Sequence, residues 1–222
     1  MKTEPSKNSP LRRSQLSPLL REYSRSMPLM YRTKVANRDI IGAFHLVLDC
    51  IPQGARLFDV GCGTGALLYL AIKLKQATLA HGYDLSREAV AASETVSTTP
   101  PELRVTHSTE VFPPQDLTNY DVVTMVDVLH HVASPIQDTF VSKLANAISP
   151  GTLLILADIE GTNLFSNITA RLHDLAVNKQ RVRPRKSTDI TTILTNNGMQ
   201  ITSITWCWSV VFKSFVITAK KI

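Results

Sequence analysis

Cysteine is scarce in this chain of 222 residues, and its three copies, Cys50, Cys62 and Cys207, form no C-x-x-C pair. That spacing provides neither a disulfide framework nor a zinc site. No apolar run reaches the length of about 18 residues that a membrane-crossing helix needs. The N-terminus is polar with scattered charge and lacks an apolar secretory core, so a cytoplasmic protein is expected. There is no internal repeat, and no basic motif interleaved with aromatics of the kind nucleic-acid modules carry.

What is present is an ordinary globular composition, 44% hydrophobic, in a length that suits one α/β domain with a small appendage. Charge falls in blocks. Residues 1–40 carry nine Lys/Arg against three Asp/Glu, whereas residues 41–170 carry six against thirteen. Residues 171–186 hold six basic residues against Asp174 alone. An acidic body with two basic segments points to an anionic partner for those segments, or to solvated helix faces.

The hydrophobic pattern alternates strand and helix. Apolar runs predict strands at 56–60, 79–83, 103–107, 120–126 and 152–158, with helices at about 65–75, 86–97 and 135–148 between them. Ser134-Pro135-Ile136-Gln137 reads as a capping box at the start of the last of these. Upstream, residues 1–14 read as a disordered tail, and 15–51 as an N-terminal helical cap. Within the cap, Ser17-Pro18 predicts a helix start, Pro28 a stop, and a second helix follows over 36–50. Downstream, a helix is expected at 162–178, and another from Ser187–Asp189 to the C-cap Asn197-Gly198. Two closely spaced apolar strands, 199–206 and 210–219, then suggest an antiparallel hairpin. Together these predict an α/β fold, a doubly wound, mostly parallel seven-stranded sheet with helices on both faces, spanning residues 52–222.

The strongest chemical signal is Leu57-Phe58-Asp59-Val60-Gly61-Cys62-Gly63-Thr64-Gly65, a buried strand running into a turn with glycines at alternate positions. Glycines there remove the Cβ atoms that would hold a ligand away from the backbone. The G-x-G-x-G spacing differs from the G-x-G-x-x-G that brings a helix N-terminus to a pyrophosphate, which favours a nucleoside ligand without phosphates. The next strand ends in Asp84, 23 residues after Gly61, where a carboxylate can accept both hydroxyls of a ribose.

This D-x-G-x-G-x-G strand end resembles the class I S-adenosylmethionine-dependent methyltransferases, and the parallel sheet closed by a hairpin is similar to their fold over roughly residues 35–220. The resemblance implies S-adenosylmethionine as cofactor, with Asp59, Gly61, Cys62, Gly63, Gly65, Asp84, Leu85, Ser108, Thr109 and Asp127 around it. Ser108 stands where the family usually has an acid facing the adenine, so that contact is a neutral one here. The fourth strand delivers Asp127-Val128-Leu129-His130-His131 at the edge of the sheet where ligands bind in such folds. His130 or His131 is a candidate base for a hydroxyl acceptor. The D-x-x-H-H spacing also resembles metal-assisted O-methyltransferases, but two imidazoles suit magnesium poorly and no metal is expected.

The segment after the fourth strand is not the [DNS]-P-P-[YFW] of nucleobase amino methylation, and no Pro-Cys nucleophile is present. A small-molecule or lipid-linked acceptor, amphiphilic and anionic, methylated at oxygen, is the reading adopted, with nucleic acid disfavoured. It leaves room for peripheral contact with the inner face of a membrane. The alternatives are an RNA- or protein-directed enzyme and a non-catalytic cofactor-binding homologue.

Overall fold

The computed structural model describes residues 10–97, 99–161, 183–208 and 213–222. Seven strands form one sheet in the order β3-β2-β1-β4-β5-β7-β6. They are β1 (Arg56–Val60), β2 (Leu79–Asp84), β3 (Leu103–His107), β4 (Val122–Val126), β5 (Leu153–Ile159), β6 (Met199–Trp208) and β7 (Lys213–Lys221). The first five pair in parallel, β7 is inserted antiparallel against β5, and β6 pairs antiparallel with β7. This is the predicted fold.

Strand β1 shows why the central run is apolar on both sides. Leu57 is fully buried toward α1 (Arg13–Tyr23), α4 (Phe44–Cys50) and α5 (Ala66–Lys75). Phe58 faces the other way, into the cluster of α7 (Gln137–Ala147) and the last described helix, α8 (Ser187–Asn196). Covered on both faces, a parallel strand has no polar side to display. Strand order reverses between β1 and β4, since the chain steps outward through β2 and β3 and returns beside β1. In such sheets a cleft opens at the carboxyl ends of the strands flanking that point.

Three expectations change. Helix α1 begins at Arg13, not at Ser17, and carries Pro18 in its interior. Proline there has no N–H to donate. The longer helix nonetheless buries Leu16 completely, and Arg12 N–H and Gln15 cap each other, through Gln15 Oε1 at 2.8 Å and the Arg12 carbonyl at 2.9 Å. The Leu11 N–H also reaches the Asp49 carboxylate at 2.9 Å, so the described part of the expected tail is tied to the body. Second, the helix expected over 36–50 is broken. It divides into α3 (Arg38–Ile41) and α4 because Gly42 takes an extended conformation, following α2 (Leu29–Ala36). Third, Ser134–Ile136 is a 3-10 turn preceding α7, and the Gln137 amide does not close a capping box. It turns back to the Leu129 and Val132 carbonyls, at 2.9 and 3.1 Å. The helix expected at 162–178, and most of the basic cluster after it, lie outside the described residues.

Candidate active site

A cleft of about 310 Å³ opens at the reversal point, within the size range of small-ligand pockets. Its floor is the turn after β1. Gly61, Gly63 and Gly65 all have positive φ, 71°, 56° and 78°, which side chains resist. Their surroundings differ. A Cβ on Gly61 would lie 2.5 Å from Val128, and one on Gly65 2.6 Å from Val105, whereas one on Gly63 would meet nothing within 4 Å. Gly61 and Gly65 are therefore packed against side chains at their Cβ positions, and Gly63 is the one whose Cβ position is open. The turn is braced from the cap: buried Tyr23 donates its hydroxyl to the Thr64 carbonyl at 2.6 Å and stacks on Tyr69.

Two carboxylates flank this turn. Asp84, at the tip of β2, accepts from the Gly63 N–H at 2.7 Å and the Ser86 N–H at 2.8 Å, one on each oxygen. Asp59 is buried at the end of β1 and accepts from the Thr124 hydroxyl at 2.6 Å. Burial pushes its carboxyl up to about 7; the Thr124 bond opposes this, and the nearby Asp84 charge adds to it. Cys62 lies between, buried, and burial holds its thiol well above its ordinary value, so it stays a small packing group.

The opposite wall comes from β4 and the turn after it. Asp127 has φ 56°, an uncommon conformation for a residue with a side chain, and its carboxylate meets Arg38 of α3 at 2.8 Å. His130 is buried in a 3-10 turn, Leu129–His131, with its Nδ1 directed at Asp158 of β5. A carboxylate only accepts, so Nδ1 carries the hydrogen and Nε2 is the basic nitrogen. Asp158 also accepts from the backbone N–H groups of Ile159 at 2.7 Å and His130 at 3.1 Å. Burial acts against its charge, but the facing imidazole and these donors outweigh it and hold the carboxyl below the ordinary range. His131 is exposed at the cleft rim, its ring 4.0 Å from that of His130. Asp127 is thus turned to Arg38 and His130 to Asp158.

The cleft lining brings together Asp59, Gly61, Cys62, Gly63, Asp127, His130 and His131, with Tyr31, Lys34 and Arg38 of the cap. It does not include Gly65, Asp84, Leu85, Ser108 or Thr109. Leu85 is exposed beyond Asp84, and Ser108 accepts from the Glu110 N–H at 3.0 Å and lines a second depression beside Phe112. Sequence reasoning missed Asp158 and Thr124, which lie 28 and 65 residues from their partners, and did not single out Arg38.

A methyltransferase domain model matches residues 31–204, most of the chain. The chain belongs to the methyltransferase domain family. Solved structures agree on the fold. A S-adenosylmethionine-dependent methyltransferase from Mesorhizobium loti is 16% identical over 81% of this chain and 96% of its own, with a TM-score of 0.62. A magnesium protoporphyrin IX methyltransferase from Synechocystis PCC 6803, with S-adenosylhomocysteine bound, is 25% identical over 80% and 78%, TM-score 0.60. A Haloferax volcanii methyltransferase in complex with the Trm112 activator is 14% identical over 79% and 87%, TM-score 0.63. Among curated proteins none matches. The methyltransferase uses S-adenosylmethionine as its cofactor. Among the described residues no helix is long and apolar enough to cross a membrane.

Proposed function

We propose that this methyltransferase transfers the methyl group to an oxygen of a small, amphiphilic and anionic acceptor, with His130 as the general base. The observation that carries the reading is the buried His130–Asp158 pair in the cleft wall. A carboxylate acceptor needs no base, and an amine is nucleophilic once neutral, whereas a hydroxyl must lose its proton as it attacks. An imidazole whose tautomer is set by a buried carboxylate suits that task.

The cofactor's place follows from the same residues. Gly63, with its open Cβ position and left-handed backbone, borders the ligand. Each Asp84 oxygen retains a second lone pair beside its backbone bond, which can take a ribose hydroxyl. Asp59 and Asp127 present negative charge to a cationic ligand. S-adenosylmethionine supplies the activated methyl group on a sulfonium. The protein's part is to align the acceptor oxygen, exclude water and move one proton, from that oxygen to His130 Nε2.

Tyr31 and Lys34 on one face of α2 line the acceptor side, while Leu29 and Met30 at the start of that helix are 66% and 56% exposed. Apolar surface beside a cation is what an amphiphilic anion, presented free or at a membrane surface, requires. The second basic segment supports this only in part. Arg183 donates its backbone N–H to the His130 carbonyl at 3.0 Å, but Arg185 pairs with Asp138 of α7 and is not in the cleft lining. Arg181 lies outside the described residues.

Incubation with labelled cofactor and a panel of small phenols, enols, carboxylic acids and amines tests the assignment. Methyl ethers are the expected products. His130→Ala should lower turnover about 10²–10⁴-fold with little change in S-adenosylhomocysteine affinity. Folded His130→Ala and His131→Ala proteins that both lose less than about threefold would contradict a histidine base.

A further inference from the structure

Charge is missing from one end of the sheet. Residues 190–212 contain no Asp, Glu, Lys, Arg or His, in a chain that is 19% charged and carries a net +6. That stretch supplies most of α8 and all of β6, the outermost strand. Among the described residues β6 pairs with β7 alone, so along its other side a row of backbone N–H and C=O groups points outward. Such an edge is a template for another strand, and proteins guard it with charge, proline or short length. The opposite edge, β3, has those guards: it is five residues long and carries Arg104 and His107. Strand β6 runs for ten residues with no charge and no proline. Its one register shift, between Ile201 and Ser203, leaves residues 203–208 in regular pairing with β7.

The side chains along this edge are apolar or neutral, and partly fixed in place. Trp206 and Trp208 are 47% and 59% exposed. The Trp206 indole N–H donates to buried Glu160 at 3.2 Å, and Lys213 lies 5.7 Å from its ring, so the ring is oriented before any contact forms. A groove lined by Thr191, Thr192, Thr195, Ile201 and Ile204 continues the neutral surface from β6 onto α8. Arg13 donates to the Trp208 carbonyl at 3.0 Å and engages that end of the strand, leaving the residues before it for pairing.

We propose that β6 pairs antiparallel with β6 of a second copy of this chain, joining the two seven-stranded sheets into one across a two-fold axis. Charge decides for a second copy over an unrelated partner. Two chains of net +6 repel, and a two-fold contact sets like charges near its axis against each other. A neutral surface avoids that cost, and it offers an acidic or basic partner nothing to pair with. A two-fold axis perpendicular to the sheet also imposes the antiparallel direction, in which edge strands exchange paired hydrogen bonds.

Sedimentation of the full chain at about 10–100 μM tests this. The wild-type protein should sediment as a dimer. Thr205→Lys, at an exposed position on β6, places two like charges in the contact and should raise the dissociation constant about 10-fold or more. Thr205→Val, neutral and β-branched, should leave the dimer intact. Hydrogen exchange on the unaltered protein gives a readout that needs no variant to fold: the β6 amides should exchange more slowly in concentrated than in dilute solution, and the β3 amides should not. A wild-type protein that stays monomeric across that range would overturn the proposal. So would a dimer that Thr205→Lys leaves unchanged, β6 exchange independent of concentration, or open-ended assemblies larger than two chains.

Discussion

Asp59 shows what burial does to a single group in this cleft. Its carboxyl sits at about 7 in the folded protein and near 4 when the chain is unfolded. The folded state therefore binds the proton more tightly, and the stability from this group is complete below about pH 4 and is lost as pH rises through 7. Asp59→Asn should raise the melting temperature at pH 8, with the advantage fading toward pH 4; thermal scans across that range check it. Because a cationic ligand favours the ionised form, binding S-adenosylmethionine near pH 6.5 should release a fraction of a proton. Calorimetry in buffers of different ionisation enthalpy measures that release, and no dependence on buffer would place Asp59 away from the ligand. Gly63→Val should abolish cofactor binding. Gly65→Ala, which meets Val105 at 2.6 Å, should instead lower stability.

Among the elements, the N-terminal helices do more than cover the sheet. Tyr23 reaches from α1 to the Thr64 carbonyl in the glycine turn, and its removal leaves that carbonyl without its partner. Tyr23→Phe should cost about 1–3 kcal/mol in denaturant unfolding. The strands were legible from their apolar runs, the central β1, β4 and β5 because they are buried on both faces, and β1 and β3 appear at the expected residues. Helix boundaries in the cap were less so. At Ser17-Pro18 the local signal for a helix start lost to the burial of Leu16 and the reciprocal bonds of Arg12 and Gln15, neither of which a local motif reveals. Gly42 divided the next helix for a reason that is local, yet a lone glycine also occurs inside helices. The site was half legible. The glycine turn, Asp84 and the His130 segment are contiguous motifs, whereas Asp158 and Thr124 join it only through strand pairing.

At the scale of the whole molecule, the division of charge turns out to have separate local uses. Lys34 and Arg38 of the first basic segment line the cleft, and Arg185 of the second ties the start of α8 to α7 through Asp138 and Asp189. The Arg185 pairs are substantially exposed, so Arg185→Gln should shift stability by less than about 1 kcal/mol and leave cofactor affinity unchanged. In the proposed reading cofactor and acceptor meet where the strand order reverses, between β1 and β4, and all the chemistry proposed for this methyltransferase depends on that placement. A crystal structure with S-adenosylhomocysteine tests it most directly. The account predicts the ribose on Asp84, the amino-acid end against Gly61 and Gly63, and the sulfur facing the His130 side of the cleft. A ligand bound elsewhere, or one in this cleft that leaves Asp84 untouched, would contradict it.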